Sequence, residues 1–131
     1  MYVRYVTAHI DPYTGAECGF FQSSYLLDRR GCAQWIKDEL RAQFDWFNHH
    51  LDVPHRLGRH FKRRESIWGI CWFTPEALEA IERARYCAWL IGEGGLPVRQ
   101  IKARIGREII WRDPQQIVVK ATPDLPKAFA R

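Results

Sequence analysis

The chain has 131 residues, of which 47% are hydrophobic, and a formal net charge of +5. Those values fit one folded domain and exclude intrinsic disorder for all but the ends. No run approaches the roughly 20 continuous apolar residues of a membrane span. The opening Met1-Tyr2-Val3-Arg4-Tyr5 alternates, unlike the basic-then-apolar pattern of a signal peptide.

Six Trp, seven Phe and five Tyr supply ample core bulk and leave aromatic surface over for a site. The four cysteines, Cys18, Cys32, Cys71 and Cys87, make no C-x-x-C pair and sit among apolar neighbours. They read as reduced, buried small hydrophobes, and neither a disulfide framework nor a zinc knuckle has the spacing it needs. A cytoplasmic location without metal or cofactor is expected. The positive balance permits a polyanionic partner without demanding one.

Tyr2 to Ile10, rich in β-branched and aromatic residues, predicts a strand. Asp11-Pro12-Tyr13-Thr14-Gly15 supplies a turn, and a second strand is expected from about Cys18 to Leu27. Cys32, Ile36, Leu40, Phe44, Phe47 and Leu51 recur in steps of three and four, the mark of one buried helix face. A polar, basic linker follows over 52–65. Ser66 to Phe73 is apolar at nearly every position, as a central strand would be.

Thr74-Pro75-Glu76 predicts a helix start with a hydroxyl cap. Ala77, Ile81, Ala84, Ala88 and Ile91 form the inner face of that helix. Gly92-Glu93-Gly94-Gly95 lies after the helix, so it reads as a terminating turn and not as a phosphate loop. A strand over Leu96 to Arg104 follows, then a hairpin of Glu108 to Trp111 with Gln116 to Ala121. Residues 1–122 make one α+β domain, and 123–131 form a tail. The order ββαβαβββ predicts a two-layer sandwich, related to a ferredoxin-like plait. In it a mostly antiparallel sheet of five to six strands carries two long amphipathic helices on one face.

Segment 49–64 is the most unusual: it holds four of the five histidines, His49, His50, His55 and His60. The adjacent His49 and His50 point about 100° apart on a helix, so they do not form a ligand pair. His55 or His60 is a weak candidate general base beside Asp45 or Asp52, with no nucleophile motif to support it. Arg56, Arg59, Lys62, Arg63 and Arg64, with a second run at Arg99, Lys102, Arg104 and Arg107, suit a phosphate backbone. Phe61 and Trp68, if exposed, could stack on unpaired bases. Trp68, Trp72 and Trp111 are candidates for a protein interface on the sheet face that two helices leave uncovered.

The leading expectation is a non-enzymatic binding or accessory protein that contacts another protein, or a second copy of itself, through that aromatic face. Nucleic-acid binding through 55–64 and 99–107 is the alternative, and a histidine-dependent hydrolase or nuclease comes third. A small-molecule sensor is also compatible with the architecture, although no residue specifies a ligand.

Overall fold

A computed structural model describes residues 1–12, 14–51, 69–105 and 109–120. Their order is β1 (Tyr2–Ile10), β2 (Glu17–Gly19), α1 (Phe20–Arg30), α2 (Gln34–His50), β3 (Gly69–Phe73), α3 (Leu78–Glu93), β4 (Arg99–Ala103), β5 (Ile109–Arg112) and β6 (Gln116–Lys120). The chain is α+β, as its patterning predicts. Among the described residues six strands pair antiparallel, and three helices bury their apolar faces together with Val3, Tyr5 and Phe73.

β1 organises the sheet. Val3 stands opposite both Phe73 and Lys102, and Val6 opposite both Gly19 and Arg99. A strand has two edges, so β4 runs along one, and β2 and β3 share the other end to end. β6 and then β5 continue outward from β3. β3 and β4 each run antiparallel to β1, hence parallel to one another, and with α3 between them they make a split β-α-β unit. β1 and β3 are joined through α1 and α2 yet lie side by side and antiparallel. The described residues therefore do not form the second split unit that a ferredoxin-like plait requires.

The stretch from Cys18 to Leu27, expected as one strand, divides at Gly19. Cys18 and Gly19 complete β2, and α1 takes the rest. Phe20, Ser23 and Leu27 are its buried residues, and steps of three and four make a helix face where alternation would make a strand. Ser23 donates from Oγ to the Gly19 carbonyl at 2.8 Å and meets Thr7 Oγ1 at 2.9 Å, so its hydroxyl is satisfied inside.

Thr74 does not cap a helix. Its hydroxyl donates to the Pro114 carbonyl at 2.8 Å, fastening the end of β3 to the β5–β6 turn, and the α3 N-cap is Ala77 without a side-chain bond. On the sheet face opposite the helices, Ile70, Trp72, Ala103, Ile117 and Val119 form a second buried cluster. That face is not an open aromatic surface at Trp72, whose side chain is 1% exposed.

Candidate functional site

The division of one β1 edge between two strands leaves a seam. β2 is three residues long because the chain turns into α1 at Phe20, so its pairing with β1 reaches only from Ile10 to Val6. β3 meets β1 at the rung Val3–Phe73 and diverges toward β6, to which it is paired from Gly69 to Phe73. Arg4 and Tyr5 fall between the two pairings. A cavity of about 380 Å³ occupies the divergence, bounded by β1, β2, β3, α1 and α2.

Its helix-side wall is aromatic. Phe20 and Phe47 lie with ring centroids 5.6 Å apart, Phe21 and Phe47 5.1 Å apart, and Phe47 stacks on Phe73 at 6.3 Å. Leu51 closes the end of α2 against them. These rings come from three elements far apart in sequence. Phe20, Phe47 and Phe73 are buried because helix or strand periodicity turns them inward, whereas Phe21 is 40% exposed.

The polar side of the cavity centres on Arg4, which is largely buried. Its Nη2 donates to the Glu17 carbonyl oxygen at 2.7 Å, which fixes the guanidinium against β2. Its buried Nη1 has no hydrogen-bond partner among the described residues. Burial pulls the guanidinium below its ordinary value, opposed by the fields of Cys71, Glu17, Cys18 and Asp11. Arginine starts so high that it stays charged at neutral pH. The indole Nε1 of Trp72, which lines the same cavity, is a second buried donor without a partner among the described residues. Unmet buried donors cost about 1–3 kcal/mol each and are uncommon in folded proteins.

Cys71 also lines the cavity. The residue is exposed, while the protein around its thiol strips enough hydration to push it up, with Arg4 pulling it down. The expectation of four buried thiols thus holds for Cys18 and Cys87, whereas Cys32 is half-buried and Cys71 exposed.

The residues that sequence reasoning singled out are placed unevenly. His55, His60, Arg56, Arg59, Lys62, Arg63, Arg64, Trp68 and Arg107 lie outside the described residues. Arg99, Lys102 and Arg104 are exposed, but strand alternation puts Arg99 and Lys102 on opposite faces of β4. Charged residues on such an outer strand also discourage pairing with another chain. Trp111 is half-buried on β5, and Trp72 is buried.

His49 and His50 each contact a carbonyl one turn back, Asp45 at 2.7 Å and Trp46 at 2.8 Å. No group of His, Cys, Asp and Glu among the described residues is arranged to hold a metal ion, and no described helix is long and apolar enough to cross a membrane.

Arg4 escaped sequence reasoning, although a cation inside an apolar alternating strand is a signal for it: charged side chains are rarely buried without a partner. The protein-family models, the curated proteins and the solved structures contain no match to this chain.

Proposed function

We propose that this chain is a small-molecule binding protein whose working site is the crevice between β1 and β3. The observation that carries this reading is the cavity of about 380 Å³, walled by aromatic rings and lined by Arg4, whose buried Nη1 has no partner among the described residues. Binding sites for small molecules are concave, largely apolar clefts of about 300–1,000 Å³ with a few polar groups that fix orientation. Among the described residues no histidine lines the crevice, and the candidate bases His55 and His60 lie outside them.

The test uses N-phenyl-1-naphthylamine, a neutral apolar dye that fluoresces when removed from water. The chain should bind it saturably at one molecule per protein. Cys71→Phe, a substitution at an exposed lining position, should fill the cavity and abolish binding while the protein stays folded. Unsaturable dye binding, or equal binding by folded Cys71→Phe, would refute the proposal.

A contact with another protein or a second copy draws on a different surface. Trp35 on α2 and Trp89 on α3 are 49% and 52% exposed with ring centroids 6.1 Å apart, and Tyr86 stacks on Trp89 at 6.0 Å. Exposed aromatics in a group anchor interfaces. On this second reading sedimentation should give more than the monomer mass for the native chain and the monomer mass for the Trp35→Glu, Trp89→Glu double variant. A monomer in both cases would remove self-association.

A further inference from the structure

We infer that the crevice takes an aromatic monocarboxylate, its carboxylate on Arg4 and its ring system against the wall formed by Phe20, Phe47 and Phe73. The inference rests on the crevice being the binding site and names the chemistry it selects. Arg4 is held in place from one side by its Nη2 bond to the Glu17 carbonyl, so its free Nη1 is a fixed donor in place of a wandering one. It belongs to a cation that burial has partly stripped of water, and such a donor is best met by an anionic oxygen. A charge-assisted bond is about twice as strong as one between neutral groups.

Glu17 and Asp11 oppose an incoming anion through their fields, but the same fields keep the guanidinium protonated, and Nη1 still lacks an acceptor among the described residues. One such donor suits one carboxylate, not a polyanion. The opposite wall sets the rest of the ligand. Phe20, Phe47 and Phe73 pack on one another with centroids 5.6–6.3 Å apart and line the cavity together, and such an aromatic wall favours a ring lying stacked or edge-on against it.

The test is calorimetric titration of the full chain with 2-naphthoate and with 2-naphthamide, which share a ring system and differ in charge. The acid should bind at least tenfold more tightly than the amide. In folded Arg4→Gln the preference should vanish through weaker binding of the acid, with the amide little changed. Arg4→Lys, which keeps the charge without the second nitrogen of the guanidinium fork, should fall between.

Equal affinities, a tighter amide, or a preference that survives in folded Arg4→Gln would overturn the inference. Should Arg4→Gln fail to fold, the acid–amide comparison on the native chain decides alone. Failure of both naphthyl compounds while N-phenyl-1-naphthylamine still binds would overturn this ligand class and leave the crevice as a site. Failure of the dye as well would remove both.

Discussion

Cys87 sits at 0% exposure on the inner face of α3, and burial pushes its thiol from an ordinary 9.0 up to about 12, against the opposing charge of Arg83. The folded state therefore holds the neutral thiol where the unfolded chain has already ionised. This contribution is complete below pH 9 and is lost as pH rises from 9 toward 12, at a slope on the order of 1.4 kcal/mol per pH unit. Urea unfolding across that window should show a shallower loss for Cys87→Ala than for the native chain. Parallel losses would mean that the thiol is not shielded.

Ser23 offers a second residue-scale test. It joins the Gly19 carbonyl to Thr7 Oγ1 in the interior, so Ser23→Ala should cost about 1–3 kcal/mol by leaving a buried hydroxyl unmet. Thr7→Val with Ser23→Ala should recover part of it, and a double variant no more stable than Ser23→Ala would contradict the pairing. Neither residue is legible in the sequence as a pair. The contact depends on α1 crossing β1, and a hydroxyl in an apolar stretch reads equally well as a surface position.

Among the elements, α2 and α3 are the most legible, because Ile36, Leu40 and Phe47 in one and Ile81, Ala84 and Ile91 in the other keep a helical spacing through to burial. α1 is misread for a physical reason. Gly19-Phe20-Phe21 has strand composition, and only the spacing from Phe20 through Ser23 to Leu27 shows the helix; a local preference yields to packing there. The β5–β6 hairpin is legible through its turn, where Asp113 Oδ1 accepts from the Gln115 and Gln116 amides at 2.8 and 2.9 Å.

β3 carries a sharper constraint. A Cβ at Gly69 would lie 2.2 Å from Val118 Cγ1, so the β3–β6 contact requires glycine. Gly69→Ala should destabilise by about 1–3 kcal/mol, as overpacking usually does. Gly69→Ala with Val118→Ala should regain much of that loss in thermal unfolding. An unperturbed single variant would show that β3 and β6 do not pack so closely.

At the scale of the molecule, the sequence could not reveal the crevice. It arises from β2 and β3 sharing one edge of β1, and the pairings Val6–Gly19 and Val3–Phe73 join residues whose proximity no local pattern records. Composition told of aromatic side chains in excess of a core. It could not tell that four phenylalanines would gather at the end of a split in the sheet instead of on its outer face.

Cys71 gives the most direct measurement, since it lines the crevice while Cys32 is not among the residues that do. Both thiols are accessible enough to alkylate with iodoacetamide at mildly alkaline pH, and mass spectrometry of peptides resolves the two rates. Saturating N-phenyl-1-naphthylamine should slow Cys71 labelling at least tenfold and leave Cys32 unchanged; labelling of Cys71 at an unaltered rate under saturation would contradict the crevice as the binding site.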